Sequence, residues 1–375
     1  MVKSFFKIIL IIILLLILAA AAFIGYLTLN EYRPDAAEIL TVTEGEIAEA
    51  EETAIESANQ GMYDGNNPKA GYAFNILTWN IGYGALGDNA DFFMDGGTSV
   101  QTADEDRVNS NISNIISQIK YQHPNIVLLQ EVDVASDRSY RLDEVKRITS
   151  GLPEKSYTYG KNYSVPFVPY PIPPMGKMEA GLLTLSDYEI TEASRVQLPI
   201  PYKWPLRMAN LKRCLTIHRL PVEGSHNELV LINLHLEPYT DDSGKIEQVE
   251  FLKEVIENEI DNGNYVIAGG DFNHVFSSVD ASKYPHIDDN WECSTIDEGD
   301  FDLSLQFVMD SDVPTCRLLD RPYAGANHDP DNFQYYMLDG FILSDNVKVL
   351  ICETKDLGFQ YSDHNPVFLR VKLLK

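Results

Sequence analysis

The sequence predicts an α/β protein, a four-layer α/β/β/α sandwich of two packed β-sheets, preceded by one N-terminal transmembrane helix. Three observations carry that expectation. Residues 8–30 contain no charged side chain. Downstream, nine short runs rich in β-branched and aromatic residues, bounded by turn formers, alternate with helical stretches. Several of those runs are apolar throughout, as strands covered on both faces are, so two sheets each need a helix layer.

The N-terminal run follows Lys3 and Lys7 and stays uncharged until Glu31, longer than the ~20 residues that cross a bilayer. The two cations belong on the cytoplasmic side, which places the rest of the chain outside. A cleaved signal peptide would end near the alanines at 19–22. The apolar run exceeds the usual ~7–15 residues of such a peptide, which favours an uncleaved signal anchor over residues 1–31. Residues 32–71 are acidic and polar and read as a stalk, with a short helix expected over 46–58. The remaining body is then residues 72–375, one domain with its own core.

Within that body FNILTWN leads into a helix whose Val108, Ile112, Ile115, Ile116 and Ile119 share one face, ended by Pro124. NIVLLQEV, AGLLTLS, KRCLTIHRL and ELVLINLHL follow as strands. A second helix spans 244–260, with Ile246, Val249, Leu252, Val255 and Ile256 on its stripe and Gly263 as its stop. YVIAGGD, YYMLDGFILS, KVLICE and NPVFLRVKL complete the strands. Two segments lack periodicity. Residues 82–106 either roof a site or form a surface excursion. The proline-rich run 159–179, apolar for a loop, either lines a substrate groove or packs on a sheet edge.

Composition limits function. The 375 residues are 45% hydrophobic and 23% charged, which excludes a disordered chain. The net charge of −27 argues against broad neutralisation of nucleic-acid phosphates, though not against an enzyme that touches a few phosphates through a divalent metal. Cys214, Cys293, Cys316 and Cys352 have no zinc-type spacing, and no disulfide is expected.

Polar residues collect at the ends of the apolar strands: Asn80, Glu131, His235, Asp271 and Asn273, Asp339, then Asp363 and His364. Each alone has an ordinary explanation as a turn former or a core residue. Together they form a working set. Asn80 and Glu131 offer hard oxygen ligands for Mg²⁺ or Mn²⁺. Asp271 suits removal of a proton from water, and Asn273 suits donation to a charged phosphoryl oxygen. His235 and His364 are donors to such oxygens, with Asp339 setting the imidazole tautomer and charge. Asp271 and Asn273, two apart, should point into the site, with His274 turned away and Gly269 and Gly270 letting the backbone pass close beneath metal and phosphate.

LTWN, LLQEVD, AGLLTLS, INLHL, GGDFN, LDGFILS and YSDHNPV, in that order, resemble the endonuclease/exonuclease/phosphatase superfamily over residues 74–373. The resemblance implies mixed sheets, with Asn80, Glu131 and Asp363 at the metal and Glu131 the principal ligand. It also implies that His235 contacts phosphate or acts as an acid, that Asp271 and Asn273 orient water, and that Asp339 partners His364. Arg138, Asn162 and Tyr163 are candidate substrate contacts, with Arg138, Lys212 and Arg213 as phosphate contacts. The expected activity is metal-dependent phosphoester hydrolysis on the outer side of the cell membrane, or as a secreted enzyme if the leader is cleaved. Nucleic acid is the favoured substrate, with a lipid headgroup or a polyphosphate as alternatives. No obligate protein partner is evident. A non-catalytic surface interaction protein is the remaining class, and the complete polar set argues against it.

Overall fold

The structure is a computed structural model and describes residues 2–46, 65–239, 242–301 and 305–375. Helix α1 (Val2–Leu29) precedes strand β1 (Ala37–Ile39), β2 (Ala73–Asn80), α2 (Glu105–Gln122), β3 (Ile126–Asp133), α3 (Glu144–Gly151), β4 (Ser156–Val168), β5 (Gly176–Ser186), β6 (Glu192–Gln197), β7 (Cys214–Leu220) and β8 (Leu229–His235). Then come α4 (Asp242–Asp261), β9 (Tyr265–Asp271), β10 (His274–Phe276), β11 (Ser294–Ile296), β12 (Leu305–Val308), β13 (Cys316–Arg317), β14 (Tyr335–Tyr336), β15 (Asp339–Ser344), β16 (Val347–Thr354) and β17 (Val367–Leu373).

One sheet runs β16-β17-β2-β3-β5-β4, the other β1-β6-β7-β8-β9-β15-β12. Both are mixed. Only β2/β3 and β8/β9 are parallel within them, and each parallel pair is joined through a helix, α2 and α4 respectively, as a parallel crossover requires. Strand alternation builds the layers. Phe74 and Ile76 of β2 face Leu231 and Ile267 across the inter-sheet core. Leu77 and Trp79, one step out of phase, face Ile112, Ile115 and Ile119 of α2. On the opposite side Val266 and Ala268 of β9 meet Leu252 and Ile256 of α4. Ile246 departs from the expected stripe and is exposed.

Buried side-chain pairs cross between the sheets, among them Thr158 with His218 and Gln130 with Asn233. Gln130 Nε2 donates to Asn233 Oδ1 at 2.8 Å, and Asn233 Nδ2 reaches back to the Leu129 and Leu183 carbonyls and to Thr184 Oγ1 at 3.2–3.3 Å.

Helix α2 starts where the Asp104 carboxylate caps the Arg107 amide, and ends at left-handed His123 before Pro124. Helix α1 carries a span over Ser4–Leu29, mean hydropathy 3.3, long and apolar enough to cross a membrane.

The expected stalk does not stand off the body where it is described. Residues 37–39 pair with β6, Thr43 bridges Tyr157, and Ala70 and Gly71 donate to Glu223 and Leu373. Leu40 and Val42 pack on the inter-sheet core, and the surrounding acidity masks these two apolar residues in composition. The helix expected over 46–58 lies almost wholly outside the described residues. The proline-rich run is also mostly strand. It supplies the ends of β4 and β5, and β4 lies at a sheet edge, where Pro166 removes no needed ladder donor.

Candidate active site

Both parallel pairs end at the same side of the sandwich, so their carboxyl-terminal tips deliver side chains to one cavity of about 100 Å³. His235, Asp271 and Asp339 stand in one row across β8, β9 and β15. Asn80 and Glu131 arrive from the other sheet. The cavity is bordered by Asn80, Glu131, His235, Asp271, Asn273, Asp363 and His364, while Asp339 reaches it through His364.

Local backbone makes this convergence possible. A register shift between Leu129 and Val132 puts Glu131 at φ 54, and Asn273 sits at φ 52. Two non-glycine residues in the left-handed region at one cavity are strain held by their surroundings. Asn273 is held by its N–H donating to Asp271 Oδ1 at 2.9 Å and its Nδ2 donating to the Leu236 carbonyl at 2.8 Å. It reaches the cavity from this bent backbone rather than from an extended one. The preceding glycines are each held tight by a neighbouring strand. A Cβ on Gly269 would lie 2.5 Å from the Phe341 ring, and one on Gly270 2.1 Å from the Leu234 carbonyl oxygen. His274 turns away, its Nδ1 2.6 Å from the Phe272 carbonyl.

Asp271 is the hub. Its Oδ2 accepts from Asn80 Nδ2 at 3.0 Å and lies 3.4 Å from His235 Nε2 and 3.8 Å from His364 Nε2. Burial pushes its carboxyl up to about 7, against the pull of His364. The two histidines diverge in charge. Burial opposes a cationic His364, but Asp339, 2.7 Å from Nδ1, outweighs it with support from Cys316 and Asp271, and holds the imidazole well above its usual range. Burial, then the charges of Arg213, His364 and Arg138, push His235 well below that range. A neutral imidazole at His235 still carries one N–H and so keeps the capacity to donate.

Asn80 Nδ2 also lies 3.3 Å from Glu131 Oε1, and its Oδ1 accepts from the Gly82 amide at 3.1 Å. Its amide nitrogen therefore meets both carboxylates as a donor. Asp363 is pushed up to about 6, by burial first and then by Glu131. Asp95 rises to about 7 through burial and then the Asp363 charge. Carboxyl groups gathered at one cavity are a donor set into which a hard divalent cation fits, with Glu131 and Asp363 as holders. The ligand atoms of Asp271, Asp339 and His364, and those of Cys316, Asp363 and His364, also lie within 4.8 Å of one another.

Segment 82–106 does cover the site. Asp95 lines the cavity and accepts from the Tyr239 hydroxyl at 3.2 Å. Arg317 pins the segment through the Gly87 and Ala90 carbonyls at 2.7 and 3.2 Å. These residues, with Cys316 and Trp291, come from irregular stretches without periodicity, so sequence reading missed them. Three expected substrate contacts are elsewhere. Arg138 is part-buried in a two-bond pair with Asp133 and lies 3.5 Å over the Tyr83 ring. Tyr163 donates to the Ala209 carbonyl, and Asn162 is buried beside it on β4, where the segment around Lys212 covers that edge strand. Lys212 is enclosed by Glu31 and the Arg207 carbonyl. Arg213 does line the cavity, paired with Glu237 at 3.2 Å and donating to the His235 carbonyl. All four cysteines are free.

Two packed mixed sheets with an acid and histidine cluster at their shared strand tips define a phosphoesterase type of protein. The model of the Endonuclease/Exonuclease/phosphatase family matches residues 77–364, well over half the chain, and the protein belongs to that family. A structure of an endonuclease/exonuclease/phosphatase from Beutenbergia cavernae is similar at 16% identity and TM-score 0.53, over 80% of this chain and 72% of that one. One from Bacteroides vulgatus gives 16% and 0.51 over 80% and 99%. ANGEL2, described as a 2',3'-cyclic phosphatase, gives 13% and 0.51 over 80% and 96%. These likenesses establish the fold. No curated protein sequence matches.

Proposed function

We propose that this chain is a membrane-anchored, extracytoplasmic phosphodiesterase that uses Mg²⁺ or Mn²⁺ and hydrolyses its substrate with water. The observation that carries the reading is the Asp339–His364 pair facing Asp271, Asn80 and Glu131 across the junction of the two sheets. A divalent cation held by Glu131 and Asp363 supplies positive charge against the phosphoryl oxygens. Asn80 and the Asn273 amide hold the Asp271 carboxylate from both oxygens, which aims it at a water proton. His364, kept cationic by Asp339, directs Nε2 into the cavity as donor to a phosphoryl oxygen.

Nucleic acid is one substrate class for such a site. The charge of −27 limits it to local contacts at the cavity, without a basic groove to track a polymer. A lipid headgroup phosphodiester is the second reading, favoured by the apolar surface beside α1 described below.

The full chain in detergent should hydrolyse bis-p-nitrophenyl phosphate with Mg²⁺ or Mn²⁺ and stop when EDTA is added. Asp271→Ala and His364→Ala should each lower kcat at least ~10²-fold with folding unchanged. Absence of turnover of any phosphoester by the folded protein would sink the catalytic reading. Parallel assays on plasmid DNA, RNA and phospholipid vesicles separate the substrate classes.

A further inference from the structure

The outer end of α1 is fastened to the catalytic domain. Glu31, its side chain 1% exposed, receives Arg207 Nε at 2.7 Å and Nη2 at 3.2 Å, with Lys212 Nζ at 3.6 Å. Trp204 Nε1 donates to Thr28 Oγ1 at 3.2 Å, and Phe23 meets Phe167 edge to face at 6.2 Å. Residues 4–22, by contrast, are exposed on every side. At ~1.5 Å per residue that free length comes to ~28 Å, close to the ~30 Å hydrocarbon thickness of a bilayer. The helix foot and its surroundings therefore fall at headgroup depth.

The domain presents an apolar collar at that depth. Phe167, Tyr170, Ile172, Trp204 and Leu206 are 36%, 69%, 94%, 55% and 66% exposed. The hairpin tip over 165–176 carries no charge, and the cations Arg33, Lys203 and Arg207 ring the foot of a chain that is otherwise strongly acidic. Exposed aromatics and basic side chains grouped at one level beside an apolar helix have the composition of a membrane interface belt.

We propose that this collar seats the catalytic domain on the surface of the bilayer that α1 crosses, so that the cavity opens beside the lipid headgroups. The proposal rests on the anchor reading given above. The collar is continuous with the cavity on two sides. Tyr170 packs on Phe93 at 5.8 Å, two residues before Asp95 at the cavity mouth. Tyr202, two residues before Trp204, donates to Glu237 at 3.0 Å, and Glu237 holds Arg213 in the cavity wall. A substrate phosphoester is then one presented at the bilayer surface.

The test uses the full chain reconstituted in phosphatidylcholine and phosphatidylglycerol vesicles that carry a nitroxide lipid labelled near the headgroup. Tryptophan quenching should be at least about two-fold greater than in Trp204→Phe, as expected for an indole at the interface. Adding Tyr170→Trp to the Trp204→Phe chain should restore it. Flotation and carbonate extraction are run on the same samples. Protein that stays with the vesicles but shows equal quenching in wild type and Trp204→Phe overturns the seating and leaves the anchor intact. Protein that leaves the vesicles overturns both.

Discussion

Asp339 and Asp271 face each other as direct partners on adjacent antiparallel strands, yet only Asp339 reaches His364 through a short contact, 2.7 Å to Nδ1, while Asp271 stands 3.8 Å from Nε2. One carboxylate sets the imidazole, and the other shares the cavity with it. Replacing Asp339 by Asn removes the charge and allows the wrong tautomer. The expected outcome is a kcat lower by about 10²-fold or more with KM changed little, since the lost interaction belongs to the transition state. Steady-state kinetics on bis-p-nitrophenyl phosphate decides it, and near wild-type kcat would remove Asp339 from the mechanism.

Arg317 ties segment 82–106 over the cavity through main-chain carbonyls. Nη2 holds both of those carbonyls while Nη1 holds those of Leu318 and Arg321, and a lysine has one nitrogen where four carbonyls need two. Arg317→Lys should therefore speed amide hydrogen exchange across residues 85–92 and raise KM more than it lowers kcat. Unchanged exchange there would mean that the segment is held by other contacts.

Gly270 has φ 151 and a neighbouring carbonyl oxygen 2.1 Å from where a Cβ would stand. No flexible side chain stands there to yield, only the β8 backbone. Gly270→Ala should cost more than about 2 kcal/mol, on the scale of overpacking in a rigid core. Urea denaturation followed by tryptophan fluorescence measures this, and a loss below about 0.5 kcal/mol, the range of neutral surface changes, would contradict the packing.

His218 lies fully buried between the sheets, with Nε2 2.7 Å from Thr158 Oγ1 and Nδ1 3.2 Å from the Leu231 carbonyl. Burial lowers it to about 4 from 6.5. The unfolded chain therefore binds a proton that the folded chain refuses between those values, and stability falls as pH drops from about 6.5 to about 4. The loss attributable to this group is about 3 kcal/mol at its fullest. His218→Gln should flatten the stability profile over that window, and an unchanged slope would show that other groups govern it.

The site was legible where chemistry sits on strand tips. GGDFN and SDHNPV announce themselves because apolar strands end abruptly in acids, amides and histidines. Their convergence follows once two parallel crossovers are placed in two facing sheets. Asp95, Tyr239, Cys316 and Arg317 were not legible, because they reach the cavity from segments whose sequence carries no period. Arg138 misled for a different reason. A basic residue near Glu131 looks free in sequence, and only the fold shows it spent on Asp133. The charge alternatives for His235 and His364 likewise depend on which imidazole has a carboxylate at its back.

The Gln130–Asn233 crossing bears on how the protein can vary. Apolar sheet faces alone can slide across one another by a residue pair with little change in contact. Directional bonds in that layer, those of Gln130 and Asn233 lying next to the tips that carry Glu131 and His235, make the slide discontinuous. The two halves of the cavity are thereby keyed together, and substitutions elsewhere in the inter-sheet core can accumulate without shearing Glu131 away from Asp271.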